Sequence, residues 1–280
     1  MVDRWLVVTD LDGTLLNHHD YRADAALPVL QALEQAQIPV IFNTSKTYAE
    51  VDSIARKFDN PHPFIVENGS AILIPRHYFD IELLQASFDQ VHSSHSHHCI
   101  TIGSGVNSLL LYLEQTKPDA INLKLCSVEQ AMAITGLDES SARAAQARQY
   151  SIPLKFDNAE NEQAFVAEAA AAGLKTVRGG RFLHLLGDCN KGDSMIILKN
   201  LYQRTHAQRF GIVALGDSPN DLDMLQAADK AVIVQSPSSD QLTPTHDHLV
   251  RTHKSAPEGW AEGIHATLAL DQPNNFQPIQ

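Results

Sequence analysis

Cysteine is scarce in this chain: Cys99, Cys126 and Cys189 are the only three among 280 residues. An odd number without metal-site spacing suits a reducing compartment better than a disulfide framework. Long apolar runs are missing as well. No stretch approaches the roughly 18 residues needed to span a membrane. Met1-Val2-Asp3-Arg4 leads straight into a strand-like run, with no signal-peptide core. These absences predict a soluble, cytoplasmic protein with no membrane partner. Positive charge is in short supply too, with 21 Lys and Arg against 33 Asp and Glu and a net charge of −12. That balance argues against a nucleic-acid partner. It also repels anions, so a phosphate site here would need local cations or a metal. What the chain does have is ordinary for a globular protein: 44% apolar and 19% charged residues. Its length supports a large core in one or two domains. The sequence shows no internal repeat and does not fix the oligomeric state.

The first 80 residues alternate between strand and helix patterns. WLVVTD (5–10) is a short apolar run, fit for a strand buried on both faces. Residues 24–37 carry Leu27, Leu30 and Leu33 at helical spacing, with Pro28 near the start where proline is tolerated. IPVIFN (38–43) reads as a second strand. Thr47-Tyr48-Ala49-Glu50 fits a capping box before a helix through Phe58. FIVEN (64–68) and AILI (71–74) read as a strand and hairpin around Gly69-Ser70. This order predicts a parallel α/β sheet with right-handed crossovers. The middle of the chain differs. HSSHSHH (92–98) looks polar and turn-like, Ala-rich helices are expected near 128–148 and 161–172, and short strands at 151–156, 174–178 and 182–186. The α/β rhythm then resumes with a helix over 191–204, a strand at 211–217, a helix over 221–228 and a last strand at 231–234. The tail from Asn274 is rich in Pro, Asn and Gln and is expected to fray. The predicted architecture is a Rossmann-like core, 1–84 and 189–280, interrupted by an inserted α+β cap at 85–188.

In an open parallel sheet, ligands bind beyond the carboxyl ends of the strands. The polar residues just after each strand are therefore the candidates. They are Asp10, Asp12 and Thr14 after the first, and Asn43, Thr44, Ser45 and Lys46 after the second. Glu67 and Asn68 follow the third, and Asp217, Asn220 and Asp221 the later one. Lys191 opens a helix just past Asn190, a candidate N-cap. Carboxylates this close repel unless a hard cation joins them, and Mg²⁺ takes oxygen ligands from a few carboxylates. The lysine and the helix amides suit a phosphate dianion. An aspartate can serve as nucleophile in phosphoryl transfer, and a second one can protonate the leaving oxygen and then activate water. A lone pair of aspartates often caps a helix, but DLDGT directly after a buried strand, followed by GDSPND after another, is far more specific. Thr44 or Ser45 alone could be a capping hydroxyl, and Lys46 could equally be solvated. His92, His95, His97 and His98 fit no standard metal site and read as a solvated run. Trp5 and Trp260 read as packing residues.

At these residues the sequence resembles the haloacid dehalogenase (HAD) superfamily of aspartate-nucleophile phosphatases. Its four motifs stand in order as DLDGT (10–14), NTSKT (43–47), Lys191 in NKGD, and GDSPND (216–221). The resemblance implies Asp10 as nucleophile and Asp12 as general acid and base, with Thr44 and Lys191 holding the phosphoryl group. It implies Mg²⁺ held by the Asp10 carboxylate, the Asp12 carbonyl and Asp217, supported by Asp221. The insert is similar to the C2B cap of the Cof-like branch. VENGS (66–70), GGRFLHLLG (179–187) and APEGWAEGI (256–264) resemble, more narrowly, the mannosyl-3-phosphoglycerate phosphatase family. RQYSIP (148–153) stands where some members carry a segment close to REYSEP, so Gln149 and Ile152 replace two acidic residues. This narrower resemblance implies substrate contacts at Ser45, Lys46, Glu67, Asn68 and Asn220, and in the cap at Arg178, Gly180, Arg181 and His184. Arg181 and His184 are the candidates for a glycerate carboxylate or phosphate.

Three functions follow as expectations. The first is a Mg²⁺-dependent phosphomonoesterase acting through an aspartyl-phosphate on mannosyl-3-phosphoglycerate or a close glycosyl-phosphoglycerate, with a general sugar-phosphate phosphatase as the broader form. The second is a phosphomutase or phosphotransferase that passes the same phosphoryl group to a sugar hydroxyl. The third is a non-catalytic sugar-phosphate sensor, which would be expected to have lost Asp10 or Asp12; both are present.

Overall fold

The structure is a computed structural model that describes residues 2–18 and 21–268; the Pro/Asn/Gln-rich tail from Asn274 lies outside them. In chain order the strands are β1 (Arg4–Thr9), β2 (Val40–Asn43), β3 (Phe64–Val66), β4 (Ala71–Pro75), β5 (His92–Ser93), β6 (His97–Thr101) and β7 (Ile121–Asn122). They continue as β8 (Ser151–Lys155), β9 (Lys175–Gly179), β10 (Phe182–Leu186), β11 (Phe210–Gly216), β12 (Lys230–Ile233) and β13 (Leu249–Arg251). The helices are α1 (Leu27–Gln35), α2 (Tyr48–Lys57), α3 (Ile81–Ser87), α4 (Val106–Thr116) and α5 (Val128–Thr135). After them come α6 (Glu139–Gln146), α7 (Ala159–Ala171), α8 (Lys191–His206), α9 (Leu222–Ala227) and α10 (Glu258–Thr267).

The chain divides into two compact units, 1–43 with 195–280, and 44–194. The first break therefore falls directly after β2, and the second inside α8. In the first unit the strands lie in the order β13-β12-β11-β1-β2, and every neighbouring pair is parallel. Strands buried on both faces need apolar residues throughout, and β11 is buried along its whole length. From β1 the order runs to β2 on one side and to β11 on the other. The strand order reverses there, so the carboxyl ends of β1 and β11 flank a crevice. Trp260 of α10 is fully buried, as are Leu6, Phe42 and Leu225, and each such side chain contributes about 1.5–3 kcal/mol of burial.

The second unit holds two antiparallel arrays, β3-β4-β6-β5 and β7-β8-β10-β9. Leu183 and Leu185 of β10 pack with Ile152 and Leu154 of β8 against Leu109, Leu113 and Phe165 of α4 and α7. The capping box at Thr47 forms as expected. Thr47 Oγ1 accepts from the Glu50 N–H at 3.3 Å, and the Glu50 carboxylate accepts from the Thr47 N–H at 2.9 Å.

Several local expectations are corrected. The Ala-rich stretch 128–148 is two helices, because Gly136 takes a left-handed φ of 77° and ends α5 before Asp138 caps α6. The 92–98 run is a hairpin, with His97 and His98 buried in β6 and His92 and His95 exposed. Adjacent strand residues face opposite ways, so both imidazoles are buried because β6 is an inner strand paired with β4 and β5, with the Tyr48 and Phe64 rings against His97. The helix expected over 221–228 begins as a short 3₁₀ turn, Pro219–Asp221. β12 is not the last strand, since β13 pairs beside it.

Candidate active site

β1 carries its ladder one residue past its end: the Asp10 N–H donates to the Leu215 carbonyl of β11 at 3.0 Å. The chain then curls on itself, with the N–H groups of Thr14, Leu15 and Leu16 all donating to the Leu11 carbonyl. This tight loop requires Gly13, whose φ is +81°. A Cβ there would lie 2.7 Å from Asp217 Oδ2, so the missing side chain leaves the space that the carboxylate occupies.

Asp10, Asp217 and Asp221 offer oxygen atoms within 4.8 Å of one another, and all three residues are buried. Unit charges 4 Å apart repel by about 4 kcal/mol at an effective dielectric constant near 20, so the cluster calls for a counter-charge. Hydrogen bonds hold part of it in place. Thr14 Oγ1 donates to Asp217 Oδ1 at 2.9 Å, and Ser236 Oγ donates to the Asp217 carbonyl at 3.0 Å. Asp221 Oδ2 accepts from the Asp217 and Ser218 N–H groups at 3.0 and 3.1 Å. Asp221 therefore folds the GDSPND turn through Oδ2 while its carboxylate stays within the cluster. Asn220 Oδ1 is taken by the Ser218 hydroxyl at 2.6 Å. An all-oxygen trio with fixed geometry suits a hard divalent cation such as Mg²⁺ better than a soft metal. Asp12, two residues from Asp10, is half-buried.

The second unit carries the remaining candidates. Thr44 is fully buried; its N–H donates to the Ile65 carbonyl at 3.1 Å, and its carbonyl accepts from Asn68 at 2.9 Å. The Glu67 N–H donates to the Lys46 carbonyl at 3.0 Å. The 44–46 loop is thus laced to the turn after β3, where Glu67 and Asn68 both adopt a left-handed φ. Lys46 lies 3.8 Å from Glu50 and is only 12% exposed, so it is not a freely solvated lysine. Lys191 begins α8 and is 1% exposed. Asn190 acts as its cap: Asn190 Oδ1 accepts from the Asp193 N–H, and Asn190 Nδ2 donates to the Asp193 carboxylate, both at 2.7 Å.

The cap arginines singled out in the sequence are engaged with other protein groups. Arg178 is paired with Glu162 of α7, and Arg181 Nη2 donates to the Thr135 carbonyl at 2.6 Å. Gly180, with φ +55°, shares the β9–β10 turn with Arg181. His184 behaves differently. It is buried, and its Nδ1 has no hydrogen-bond partner among the described residues. Burial first, then the positive charges of Arg148 and Lys191, holds its imidazole well below the ordinary value. His97 packs against the rings of Tyr48 and Phe64, and the Ser93 hydroxyl lies 2.8 Å from His98 Nδ1. Among the described residues the histidine run forms no metal-holding group.

Two features were not anticipated. One is Arg148, which is 4% exposed and lies beside Glu67; the arginine opening RQYSIP was its signal. The other is a relay behind the nucleophile candidate. Trp260 Nε1 donates to Thr9 Oγ1 at 3.0 Å, and Thr9 Oγ1 donates to the Asp10 carbonyl at 2.7 Å. Trp260 is a packing residue, as expected, that also makes a polar contact.

Residues 7–177 and 178–261 match the model of haloacid dehalogenase-like hydrolases. A glucosyl-3-phosphoglycerate/mannosyl-3-phosphoglycerate phosphatase of Methanococcoides burtonii is 39% identical over 238 residues, covering 83% of this chain and 85% of its own. A protein of the same name from Persephonella marina is 30% identical over 266 residues, 92% and 95% of the two chains. Among solved structures, a Thermoplasma acidophilum protein matches with a TM-score of 0.67 at 17% identity, over 94% of this chain and 97% of its own. The sucrose-phosphatase of Synechocystis, solved with sucrose and phosphate, matches with a TM-score of 0.62 at 15% identity, over 97% and 99%. At these identities the structural matches speak for the fold.

Proposed function

Because this chain belongs to the haloacid dehalogenase-like hydrolase family, we propose that it is a phosphatase that removes the phosphoryl group from glucosyl- or mannosyl-3-phosphoglycerate. The observation that carries the reading is the buried trio Asp10, Asp217 and Asp221, with Thr14 fixing one of its members. The relatives' names supply the substrate class.

In the proposed reaction an Asp10 carboxylate oxygen attacks phosphorus, and the bond from phosphorus to the glycerate oxygen breaks. Asp12 in its acid form gives that oxygen a proton. The resulting aspartyl-phosphate is hydrolysed when Asp12, now a base, takes a proton from an attacking water. Thr44 and Lys191 hold the phosphoryl oxygens by a hydroxyl and an ammonium group, the donor types suited to a dianion. Asp10, Asp217 and Asp221, with the Asp12 carbonyl, would hold Mg²⁺, which when bound neutralises charge on the transferring group. The insert at 85–188 would choose the leaving group. Ser45, Lys46, Asn68, Asn220 and the β9–β10 turn around Arg178, Gly180 and Arg181 remain candidates for contact with it.

Phosphate release from glucosyl-3-phosphoglycerate, mannosyl-3-phosphoglycerate and a panel of hexose phosphates tests the proposal. The phosphoglycerates should give the highest kcat/KM. Equal, slow turnover of every compound would overturn the substrate assignment in favour of a general sugar-phosphate phosphatase. Phosphate appearing on a second sugar, with none in solution, would overturn hydrolysis in favour of transfer.

A further inference from the structure

A buried arginine needs a reason to be where it is. Arg148 Nε donates to Ser151 Oγ at 3.1 Å and lies 3.5 Å from Glu67 Oε2. Its Nη2 donates to the carbonyl of Ser45. Nη1 donates to no described residue, although an arginine has five N–H groups to place. Glu67 is meanwhile saturated: its carboxylate accepts from the Gln149 and Tyr150 N–H groups at 2.9 and 3.2 Å, and from Ser151 Oγ at 2.7 Å. Glu67 thus has little capacity left for a substrate. It orients the guanidinium and fixes the segment 148–151.

The surroundings of this arginine fit a ligand. Cross-strand partners in an antiparallel pair share a face. Leu183 and Leu185 oppose Leu154 and Ile152, and all four face the apolar core. His184 and Leu186 oppose Pro153 and Ser151, so they lie on the other face. The Arg148-bound Ser151 and the imidazole of His184 therefore share a face that the α4–α7 core does not fill. Gly179 stands beside that imidazole, where a Cβ would come within 3.2 Å of His184 Nε2. Burying an imidazole nitrogen without a partner is unfavourable in the free protein and becomes tolerable if a ligand supplies the partner. The bond from Arg148 to Ser45 also sets the guanidinium next to Thr44, one residue away in sequence, which the proposed reaction assigns to the phosphoryl group.

We propose that Arg148 is the specificity-determining cation of this protein. Through Nη1 it binds a carboxylate close to the phosphate in the substrate, with His184 meeting the neighbouring oxygen. This deepens the phosphatase reading and rests on it. It moves the cationic contact for the carboxylate from Arg181 to an arginine pre-oriented by Glu67, and keeps His184. With Nε and Nη2 tied to Ser151 and Ser45, the planar guanidinium presents the Nη1 donors in a fixed direction that a flexible ammonium cannot reproduce.

The probes are 3-phosphoglycerate and glycerol 3-phosphate, which differ only by a carboxylate in place of a hydroxymethyl group. Their binding is measured by calorimetry on the full chain and on Arg148→Lys, which keeps a cation beside Glu67. Arg148→Ala is the second variant, and melting curves check that both fold. The native protein should prefer 3-phosphoglycerate, and both variants should lose that preference by roughly 10- to 100-fold, the equivalent of one or two charge-assisted hydrogen bonds. Turnover of p-nitrophenyl phosphate, which has no carboxylate, should stay within a few-fold of native. Variants that retain the preference would overturn the assignment, as would a native protein without one. A parallel loss with both anions and with p-nitrophenyl phosphate would reduce Arg148 to a structural role and overturn it too. A native protein that hydrolyses no phosphomonoester yet shows an Arg148-dependent preference would instead overturn the phosphatase reading.

Discussion

Replacing Gly13 by alanine perturbs the carboxylate trio without touching any of its members. Two penalties follow from the structure. At φ +81° an L-residue is in the left-handed region, at about 1–2 kcal/mol. The new Cβ would also sit 2.7 Å from Asp217 Oδ2 and 3.1 Å from its Cγ, closer than such atoms approach. The Asp217 carboxylate must therefore turn away and weaken its 2.9 Å bond from Thr14. Hydrogen bonds to charged groups are worth about 1.5–3 kcal/mol, so the summed loss is about 2.5–5 kcal/mol against a typical total of 5–15. For a chain of this size that is a fall in Tm of about 5–20 °C. Circular-dichroism melting with and without Mg²⁺ measures both the fold and the cluster. Ligand binding to the native state raises Tm by mass action, so Gly13→Ala should also shrink the rise produced by Mg²⁺. Thr14→Val removes the hydrogen bond without the clash and should cost about 1.5–3 kcal/mol. The double variant should lose less than the sum, because both changes act on Asp217. A Gly13→Ala protein that melts with the native one and responds equally to Mg²⁺ would refute the reasoning.

Two further outcomes follow. Asp10→Asn is nearly isosteric, so it should abolish phosphate release while leaving the melting curve close to native; substantial residual turnover would remove Asp10 from the nucleophile role. Stability should also fall as the pH drops below about 6.5, the ordinary value for histidine. Burial lowers the proton affinity of His97, His98, His184 and His206 in the folded chain. The unfolded chain then takes up protons that the folded one does not, so the stability present above pH 6.5 is lost on acidification. The lowered carboxyls of Asp138 and Glu262 act only at lower pH. Equal Tm values at pH 7.5 and 5.5 would contradict this.

The parallel strands β1, β2, β11 and β12 were legible because each carries an apolar run ending in polar residues, whereas the short, half-exposed β13 was not. Asp10 and Asp217 follow β1 and β11 directly, so pattern and topology gave the trio together. The capping side chains of Thr47 and Asn190 were equally readable, since capping depends on a few neighbouring residues. What escaped was set by distant contacts. His97 and His98 read as solvated, yet both are buried in β6, which pairs with β4, and the rings of Tyr48 and Phe64 pack on His97. Gly136 breaks a stretch whose composition is helical on both sides. Arg148 and Glu67 are 81 residues apart in sequence, and no local pattern marks two such charges as neighbours.

The relay behind Asp10 has a spectroscopic consequence. The chain has two tryptophans, and they sit in contrasting surroundings. Trp5 lies under the Lys230 ammonium, 4.6 Å from its ring centroid. Trp260 is sealed from water, and its indole N–H is bound through Thr9 to the carbonyl of Asp10. Its emission is thus tied, through two hydrogen bonds, to the backbone of the residue proposed to carry the phosphoryl group. With Trp5 replaced by phenylalanine, the remaining indole becomes an intrinsic optical sensor of events at Asp10, with no label to attach.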